Sequence, residues 1–483
     1  MFATQRGVVP AARCALAVST GKAVRGGVRR LGRGSGSSLP GVVALAIDPG
    51  ALAGLAGQIR RGSVLVTGSN GKGTTCRMLA EVMLAAGLRP ILNFEGSNQL
   101  PGVTAALLAR SGLSGRLPRD GRAIGLFEVD EGSLPGVLPQ ITRPRAVVVT
   151  NIFRDQLDRY LEPGFVTGML ERELRGLPAD TTLVLNADDP RVACLAAGLG
   201  NPRLYFGVAD TGHGRGGADP SSDFPRCPRC GGELGYGCVF SAHLGHWGCG
   251  GCGLSRPVPQ VEAARVELLG AVSSRVQLAT PAGPVVLEVP FPGLYNAYNA
   301  VAAAAAAVGC GIPGSAIPAV GRCTPGSFRM ERLAVAGHDV YLVLAKNASG
   351  FTEVLRAVLA DGQPKQMMLG LNDCAGKQPD TSWIWDADFS SLPGLAPAAV
   401  VSGNRAGDLA VRLKYAGWPP AGAAGGLTVE PDPVAAFRLA LAAAPAAGPV
   451  WVVSTSAVLG QLRGWLRRQG YAGQPWREQP GAA

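Results

Sequence analysis

A glycine-rich segment between a strand pattern and a helix pattern constrains the fold of this 483-residue chain more than any other feature. The apolar run 63–67 precedes the segment, and 74–86 has the pattern of a helix. Its residues are Gly68, Ser69, Asn70, Gly71, Lys72, Gly73, Thr74 and Thr75. Glycines let backbone N–H groups converge on phosphates, and a helix N-terminus adds its positive end. We therefore predict an ATP-binding strand–loop–helix unit.

Lys72 and the hydroxyl groups after it have the chemistry that a bound nucleoside triphosphate requires. The lysine would reach the terminal phosphates, and a threonine hydroxyl would complete the shell of a Mg²⁺ ion. Because Gly73 follows Lys72, that hydroxyl must come from Thr74 or Thr75. The alternative is a glycine-rich turn with a chance lysine, but the strand before the loop and the helix after it disfavour this.

Carboxylates stand where the predicted strand 123–129 ends. They belong to Glu128, Asp130 and Glu131. The carboxyl ends of parallel strands meet at one edge of a sheet, where ligands bind, and Mg²⁺ prefers oxygen ligands. We therefore predict a Mg²⁺ site formed by Thr74, Glu128 and Glu131. A solvated acidic turn is the alternative that the residues alone leave open.

Strand patterns alternate with helix patterns along most of the chain, which predicts an α/β fold with a mostly parallel sheet. The predicted strands are 63–67, 123–129, 146–150, 182–185, 285–291, 340–344, 366–369, 399–401 and 450–453, and the two clearest helices are 74–86 and 296–308. A Pro/Gly break at 324–326 separates two α/β domains. The predicted organisation is a basic N-terminal segment 1–45, a central ATP-binding domain 46–322 with an insertion at 224–256, and a C-terminal domain 323–483.

Four cysteines in this insertion have the spacing of a zinc ribbon. They form the pattern C-x₂-C-x₁₈-C-x₂-C, with a glycine after each pair, and are Cys227, Cys230, Cys249 and Cys252. Two such pairs can hold Zn²⁺ between four thiolates. Four protein ligands leave no open position, so we predict a structural role. Cys238, His243 and His246 lie between the pairs and are weaker candidate ligands.

The formal charge of +11 indicates affinity for anions, and the first 35 residues contribute much of it because no acid opposes their Arg and Lys. We expect this segment to be loosely ordered or an amphipathic surface segment. Nucleotides, acidic substrates and anionic lipid surfaces all fit such a charge. No aromatic-and-basic array of the kind that stacks bases is present, so no nucleic-acid partner is predicted.

No run of 18 uncharged apolar residues predicts a transmembrane segment, and no convincing cleavage site predicts a secretory signal. The cysteines number eleven, which is odd, and four of them have metal-site spacing. This usage fits a reducing cytosol better than a disulfide framework. We therefore expect a cytoplasmic protein, with peripheral contact to the inner face of the cell membrane left open.

The phosphate loop resembles that of the Mur ligase superfamily, whose loops read G-[TS]-N-G-K-[TSG]. Five further stretches, in the right order, resemble one family within it, the ligase subunits of lipid II isoglutaminyl synthase. They are 93–98 (Asn-Phe-Glu-Gly-Ser-Asn), 127–133 (Phe-Glu-Val-Asp-Glu-Gly-Ser), 150–159 (Thr-Asn-Ile-Phe-Arg-Asp-Gln-Leu-Asp-Arg), 186–190 (Asn-Ala-Asp-Asp-Pro) and 295–300 (Tyr-Asn-Ala-Tyr-Asn-Ala). The likeness covers nearly the whole chain from about Leu39, and this family also carries a cysteine ribbon at the same place.

The resemblance implies roles in ATP binding for residues outside the loop. Asn296 and Asn299 would lie near the adenine, although helix capping explains either one alone. Arg329 would bind nucleotide phosphate at the domain junction. The resemblance also implies three catalytic residues, which are Lys72, Glu128 and Asp380.

Asp380 precedes Thr-Ser-Trp at 381–383, a sequence that resembles a signature of the family's C-terminal domain. The resemblance implies that this carboxylate completes the Cys-His pair of a separate, GatD-type glutaminase, which is the third role in a catalytic triad. From the residues alone, a solvated turn with a Trp-anchored strand is the alternative, and 374–379 departs from the family's usual wording. None of the chain's four histidines stands near a nucleophile-elbow cysteine, so a partner that supplies ammonia is implied.

Two departures from other Mur ligases bear on the substrate. Many of them have a metal-binding His where this chain has Gln156, and a carbamylated Lys where no lysine occurs between 73 and 345. The lack of both resembles the isoglutaminyl synthase subunits and implies an ammonia acceptor. Lysine is rare in this chain, and Lys346, beside Asn347 after an apolar strand, is a second position that does not look accidental.

We therefore expect a ligase subunit that amidates the α-carboxylate of D-glutamate in the peptide stem of lipid II, using ATP, Mg²⁺ and a structural Zn²⁺. The nearest alternative is another Mur-type amide ligase such as a folylpolyglutamate synthase, which Gly73 alone favours. A nucleotide-binding scaffold without its own chemistry, or a nucleic-acid-binding protein with a basic tail, are the alternatives from other classes.

Overall fold

The computed structural model describes most of the chain in thirteen segments. They are residues 11–30, 38–93, 97–119, 121–154, 163–216, 224–324, 329–360, 365–373, 380–390, 392, 399–419, 426–446 and 448–471.

Strands and helices alternate through most of these residues. The strands are β1 (Ser63–Thr67), β2 (Arg89–Leu92), β3 (Ala123–Glu128), β4 (Pro144–Val149), β5 (Thr182–Asn186), β6 (Arg203–Val208), β7 (Leu234–Ser241), β8 (Leu244–Cys249), β9 (Val261–Leu269), β10 (Ser273–Ala279), β11 (Val285–Val289), β12 (Arg329–Val335), β13 (His338–Leu344), β14 (Gln366–Gly370), β15 (Ala399–Ser402), β16 (Thr428–Val429) and β17 (Val450–Ser454). The helices are α1 (Ala11–Arg30), α2 (Leu39–Ile47), α3 (Ala51–Ala56), α4 (Lys72–Ala85), α5 (Leu100–Arg110), α6 (Leu134–Val137), α7 (Pro163–Arg175), α8 (Pro190–Cys194), α9 (Leu294–Gly309), α10 (Ala348–Leu359), α11 (Ala406–Tyr415), α12 (Pro433–Ala443) and α13 (Ser456–Arg468).

A nine-stranded sheet has the order β11-β10-β9-β6-β5-β4-β1-β3-β2. Following the spatial order of this sheet from β2 through β3, β1, β4, β5 and β6 to β9, neighbouring strands are parallel. The pairs β9–β10 and β10–β11, at the other edge, are antiparallel. β1 lies between β4 and β3, and all five of its residues are buried. This explains why its three central residues, Val64, Leu65 and Val66, are all apolar, because helices cover both faces of a parallel sheet. The phosphate loop therefore starts from the interior of the sheet.

The two faces of this sheet bury two separate cores. Val64 and Val66 of β1 pack toward α4 and α9, while Leu65 points to the opposite face with the N-terminal helices, as the two-residue period of a strand requires. Alanines 302–307 of α9 are all at most 1% exposed. Such small side chains let α9 lie close to both the sheet and α4.

A second, six-stranded sheet has the order β12-β13-β17-β14-β15-β16. Only the β12–β13 pair is antiparallel; the other pairs are parallel. Helices α10 and α11 contribute to the core on one face, and α12 and α13 to the core on the other. The expectation of two α/β sheets, the first mostly parallel, is therefore confirmed.

The N-terminal segment is helical where the structure describes it. α1 packs against α2, α3 and α5, and Ala17 and Val18 of α1 are fully buried. The expectation of a loosely ordered segment is therefore wrong for α1, and α2 continues across the predicted domain bound at 45. This N-terminal segment is ordered because its helices pack closely through glycine. A side chain at Gly41 of α2, for example, would overlap the carbonyl of Pro101 in α5. Among the described residues, no helix has both the length and the apolar character that crossing a membrane needs.

All nine predicted strands and both predicted helices occur, each within two residues of its predicted bounds. The sequence pattern missed β2, β6, β9 and β10 of the large sheet. β10 alternates buried and exposed residues, so its apolar signal is half as dense as that of a fully buried strand. Strand 285–291 was predicted correctly, but it lies in the antiparallel edge rather than in a parallel repeat.

Candidate active site and metal centre

The phosphate loop leaves the carboxyl end of β1 in a conformation that glycine alone adopts readily. Gly68 and Gly71 have φ angles of 121° and 85°, which L-side chains rarely take. A Cβ atom at Gly68 would overlap the hydroxyl of Thr150, and one at Gly71 would overlap the side-chain oxygen of Asn299. Neighbouring segments therefore press directly on the loop backbone.

Lys72, the first residue of α4, folds back over the loop. Its Nζ donates to Glu131 Oε2 at 2.9 Å and to the carbonyl oxygens of Gly68 and Ser69, and the residue is only 5% exposed. Burial acts to lower the pKa of Lys72, but the charges of Glu131, Asp130 and Glu128 outweigh it and raise this pKa above its usual range. The lysine is therefore a fixed cation at the loop.

The acidic segment after β3 lies beside the loop, as the sequence predicted. Burial acts to raise the pKa of Glu131, but the charges of Lys72 and Lys346 lower it below the ordinary value. The carboxylate of Glu128 accepts from Asn98 Nδ2 at 3.2 Å, and its backbone N–H donates to Asn93 Oδ1 at 2.9 Å. Both glutamates therefore sit in ordered surroundings, which argues against a solvated acidic turn.

The threonines of α4 bring hydroxyl groups to the same place. Thr74 and Thr75 are both buried, and Thr75 Oγ1 is a buried oxygen without a hydrogen-bond partner. An unpaired buried hydroxyl is costly unless something satisfies it. Together with two carboxylates, this gives an oxygen-rich donor set that fits a Mg²⁺ ion. The choice between the two threonines stays open.

Asn70 connects the loop to the segment after β4. Its backbone N–H donates to Asn151 Oδ1 at 2.8 Å, and its carbonyl oxygen accepts from Thr150 Oγ1 at 2.8 Å. Asn151 therefore shapes the loop through the backbone. Gln156, which stands where many Mur ligases have a metal-binding His, lies outside the described residues, as does Asp155.

Asn296 and Asn299 lie in the first turns of α9, and their side chains are joined. Asn299 Nδ2 donates to Asn296 Oδ1 at 3.2 Å, and Asn296 Nδ2 donates to Pro292 O at 2.8 Å. The cap residue is Gly293, and no side chain caps this helix, so the helix-capping alternative is wrong. Both residues are buried, and Asn299 touches the phosphate loop at Gly71.

The C-terminal domain adds residues that the sequence did not assign to the site. Asn347 Nδ2 donates to Asn70 Oδ1 at 3.2 Å, and Asn70 Nδ2 donates back to Asn347 Oδ1 at 3.4 Å. Asn347 also caps α10 by accepting from Gly350 N at 2.8 Å. Lys346, next to it, is close enough to lower the pKa of Glu131. The rarity of lysine was the only sequence signal for this position. The side chain of Arg329 lies outside the described residues.

The four ribbon cysteines come together as predicted. Their Sγ atoms all lie within 4.8 Å of one another, and Gly231 and Gly253 take the left-handed conformation with φ angles of 73° and 71°. The backbone N–H of Cys252 and of Gly251 lower the pKa of the Cys249 thiol to about 6. Four convergent thiols with a thiolate-favouring backbone fit a tetrahedral metal site.

The weaker candidate ligands Cys238, His243 and His246 lie outside this cluster. His243 is fully buried between the rings of Phe153 and Phe224, at 4.9 and 4.8 Å between centroids. Its Nε2 is 3.2 Å from Asp189 Oδ2, and the same oxygen accepts from the backbone N–H of Ile152 at 2.8 Å. The β7–β8 hairpin is therefore docked on the segment that supports the phosphate loop.

Asp380 lies on the C-terminal domain, in the segment before the short helical turn Ser382–Trp385. It is half-buried, and one of its carboxylate oxygens accepts from the backbone N–H of Ser382 at 2.8 Å. Nearby Trp385 and Tyr415 are 51% and 74% exposed, with ring centroids 5.8 Å apart. The departing stretch 374–379 lies outside the described residues.

All four histidines of the chain have other contacts. His213, His246 and His338 face the carbonyl oxygens of Val266, Val208 and Gly448, and His243 faces Asp189. Asp380 therefore has no histidine of its own chain to orient.

Two protein families match this chain. The Mur ligase middle domain matches residues 66–214, which contain the phosphate loop and the acidic segment. The MurT ligase C-terminal family matches residues 344–432, which contain Lys346 and Asp380.

Solved structures show the same fold. A pseudomurein peptide ligase type C from Methanothermus fervidus superposes with a TM-score of 0.63 at 22% identity, over 85% of this chain and 79% of that one. A Mycobacterium tuberculosis folylpolyglutamate synthase, complexed with ADP and AMPPCP, superposes with a TM-score of 0.58 at 16% identity, over 91% of this chain and 96% of that one.

Curated relatives are more similar in sequence. The MurT subunit of lipid II isoglutaminyl synthase (glutamine-hydrolyzing) from Staphylococcus aureus (strain N315) is 31% identical over 402 residues, 83% of this chain and 87% of that protein. The subunit of the same name from Streptococcus pneumoniae (strain ATCC BAA-255 / R6) is 32% identical over 393 residues, 81% of this chain and 84% of that protein. This chain therefore belongs to the MurT family of lipid II isoglutaminyl synthase subunits, a branch of the Mur ligases.

Proposed function

We propose that this chain is the ligase subunit that converts the D-glutamate α-carboxylate of the lipid II peptide stem to D-isoglutamine, in peptidoglycan synthesis. The observation that carries this proposal is the similarity to curated MurT subunits over more than four fifths of the chain. The compact arrangement of Lys72, Glu131 and the phosphate loop supports it, because it supplies the charges that phosphoryl transfer needs.

The reaction has two steps. A carboxylate oxygen of the substrate attacks the γ-phosphorus of ATP, giving an acyl phosphate and ADP. The nitrogen of ammonia then attacks the acyl carbon; inorganic phosphate leaves with the C–O electron pair, and the nitrogen loses a proton. The chain's part in both steps is to position the groups and to stabilise negative charge.

The roles proposed for the loop residues follow from their geometry. The loop from Gly68 to Thr75, which comprises Gly68, Ser69, Asn70, Gly71, Lys72, Gly73, Thr74 and Thr75, would surround the ATP phosphates. The backbone N–H groups of Ser69, Asn70 and Thr75 already donate within the protein. The N–H groups proposed to bind phosphate are therefore those of Gly71, Lys72, Gly73 and Thr74. Lys72 would stabilise the transferred phosphoryl group, since its charge is held by three acidic neighbours. Thr74, Glu128 and Glu131 would hold Mg²⁺, which neutralises phosphate charge when bound. Asn296 and Asn299 would lie near the adenine, and Arg329 would bind nucleotide phosphate at the domain junction.

Lys346 is a further candidate for this centre. It follows β13, its charge reaches Glu131, and its neighbour Asn347 bonds to the loop residue Asn70. We propose that it holds negative charge of the reacting carboxylate or acyl phosphate from the side of the C-terminal domain. This role would require the two domains to stay together during the reaction.

A separate GatD-type glutaminase would supply ammonia. The four histidines of this chain have other partners, and Asp380 is half-buried, accepting from the backbone N–H of Ser382. Its carboxylate would orient the catalytic His of the partner subunit. We propose that Cys227, Cys230, Cys249 and Cys252 hold Zn²⁺ in a structural role, since all four positions of a tetrahedral site are filled by protein.

The location proposed for the protein is the cytoplasm, with action at the inner face of the cell membrane, where a lipid-linked substrate would be presented. Neither nucleic acid nor a membrane-spanning segment has a part in the proposal.

The proposal is tested by mixing the purified chain with a GatD-type subunit, glutamine, ATP, Mg²⁺ and lipid II. We expect isoglutamine in the stem, detected by mass spectrometry, together with ADP and phosphate. Absence of amidation in the complete mixture would contradict the proposal. Amidation undiminished in a Lys72→Ala protein would instead favour a scaffold that binds nucleotide without chemistry of its own.

Folylpolyglutamate synthase activity is the second candidate, favoured by Gly73 and by the fold similarity to such an enzyme. ATP turnover that depends on a folate and glutamate would support it. The cysteine ribbon and the match to the MurT C-terminal family speak against it.

A further inference from the structure

The N-terminal helices form a surface that the proposed chemistry does not use. Helices α1, α2, α3 and α5 pack together over one face of the large sheet, and we name them the N-terminal helical layer. They contain six basic residues, five in α1 and one in α5, and no acidic residue. The sequence has no Asp or Glu before Asp48. The layer therefore has a single sign of charge.

α2 is apolar on all sides, although one of its faces is exposed. Its nine residues, Leu-Pro-Gly-Val-Val-Ala-Leu-Ala-Ile, include no polar side chain. Pro40, Gly41 and Ala44 are buried against the layer, whereas Leu39 and Val42 are 49% and 48% exposed. These two leave from one face of the helix, because residues three apart in a helix are neighbours. A soluble surface helix usually has a polar outer face.

α1 continues this surface and adds the charge. Leu16 is 58% exposed, and Arg13 and Arg30, toward the two ends of α1, are also exposed. Arg13 Nε donates to the carbonyl oxygen of Ile47 at 2.8 Å, and Gly21 lies against the backbone of Pro40. α1 and α2 are therefore antiparallel neighbours that both expose apolar side chains, and α1 adds exposed arginines.

We infer that the N-terminal helical layer binds the surface of an anionic lipid bilayer. Apolar side chains of an interfacial helix enter the boundary between head groups and acyl chains, while Arg and Lys pair with lipid phosphates. The layer offers both features and carries no acid to oppose them. Because no described helix can cross a membrane, the layer lies on the bilayer. A lipid-anchored substrate would be held in that same surface, so the inference adds an attachment site to the proposed function.

Two other occupants fit the surface less well. A second copy of this chain, docked by the same face, would bring two basic surfaces together, because a two-fold interface pairs each patch with itself. Like charges would oppose that contact. A nucleic acid would satisfy the arginines but would leave the exposed leucines and valine without an apolar partner.

The test is co-sedimentation of the full chain with phosphatidylcholine vesicles, with and without phosphatidylglycerol. We expect binding only to the vesicles that contain phosphatidylglycerol, weaker at high salt because salt screens exposed charges. Removing two arginines should weaken binding about fivefold per charge, and removing the apolar side chains should weaken it about tenfold or more. The two variants are Arg13→Gln/Arg30→Gln and Leu16→Ser/Leu39→Ser/Val42→Ser.

Matched controls change equally exposed residues elsewhere. Val258 and Val272 are 80% and 64% exposed, and Arg467 and Arg468 are exposed at the end of α13. The control variants, Val258→Ser/Val272→Ser and Arg467→Gln/Arg468→Gln, should bind vesicles like the unchanged protein. Unchanged thermal unfolding midpoints would show that each variant is folded.

Several outcomes would overturn the inference. They are absence of binding to phosphatidylglycerol vesicles, equal binding by the apolar variant, a dimer that the apolar variant abolishes, and duplex DNA binding that the arginine variant alone abolishes. A Lys72→Ala protein should bind vesicles normally. Vesicle binding without amidation would therefore contradict the proposed function alone, and amidation without vesicle binding would contradict this inference alone.

Discussion

The phosphate-loop centre and the Asp380 segment differ in how completely the chain surrounds them. Five stretches distant in sequence meet at the centre, namely 68–75, 128–131, 150–151, 296–299 and 346–347. Among the described residues, the hydrogen bond to the Asp380 carboxylate comes from Ser382 in its own turn. The first region satisfies its charges internally, while the second presents a carboxylate outward. An incomplete site of this kind fits a residue that acts together with a partner protein. The difference between the two regions can be tested.

Asp380→Asn should have the largest effect on the rate of amidation, and it should lower that rate only when glutamine is the source of ammonia. If the carboxylate orients a partner His, glutamine-dependent amidation should fall by up to about 10⁴-fold. Amidation with an ammonium salt should stay unchanged, because the phosphate-loop centre is intact. Both are measured as isoglutamine formed by the complex with the glutaminase.

Asp180→Asn is the control, since Asp180 is an exposed acid of the central domain, outside both regions. It should leave both ammonia sources unaffected. Equal loss with glutamine and with ammonium in Asp380→Asn would make that residue part of the ligase chemistry instead.

Glu131→Gln should destabilise the protein, because it leaves Lys72 as a buried charge without its closest partner. Breaking a buried pair costs about 3–5 kcal/mol. The folded state lowers the pKa of Glu131, so its stabilisation is present above the unfolded pKa of about 4.3 and is lost as pH falls through the folded pKa. Chemical unfolding across acidic pH should show a smaller pH dependence in Glu131→Gln.

The same unfolding experiment, carried out at basic pH, tests the contribution of Lys72. The folded state raises the pKa of Lys72, so its stabilisation is complete below about pH 10.4 and is lost only as pH rises through the raised folded value. Stability that changes equally with pH in both proteins would show that the buried pair contributes nothing to linkage.

Lys72→Ala should lower turnover by about 10²–10³-fold, the usual cost of removing a group that stabilises transition-state charge. In contrast to Asp380→Asn, it should lower the glutamine-dependent and ammonium-dependent rates alike. Lys414→Ala is a suitable control because Lys414 is an exposed lysine. If Lys72→Ala lowered only the glutamine-dependent rate, the phosphate-loop centre and the Asp380 segment would not have the separate roles proposed for them.

Asn347→Ala should have the smallest effect. It removes the cap of α10, which is worth about 1 kcal/mol, together with the reciprocal amide pair with Asn70. We expect a raised KM for ATP and a fall of about 1 kcal/mol in the free energy of unfolding. Asn404→Ala, in the same domain but on its surface, is the comparison. A KM equal to that of the unchanged protein would separate Asn347 from the nucleotide site.

Much of the site was predictable because its chemistry is local in sequence. The run from Gly68 to Thr75 needs only its own glycines and the ends of β1 and α4, and the cysteine pairs need only their spacing. The contacts of Asn299 were harder to predict from the sequence. Capping was an adequate account of it in the sequence, whereas its contact with Gly71 joins residues more than two hundred positions apart.

The ribbon shows the same limit. Its cysteines predicted a cluster, but nothing in the sequence separated His243 from a ligand. In the fold, His243 contacts the carboxylate of Asp189. That carboxylate also accepts a hydrogen bond from the backbone N–H of Ile152, the neighbour of Asn151. Such a relay depends on three segments whose packing no local pattern encodes.

By itself, the sequence determined the α/β class, the strand–loop–helix unit around Lys72 and the cysteine cluster, because each follows from short-range periodicity, backbone freedom or spacing. The tertiary structure alone decided that Lys346 and Asn347 face the loop, and that the basic N-terminus is a helix in a packed layer. Those outcomes depend on which distant surfaces bury each other, and burial is a property of the whole fold.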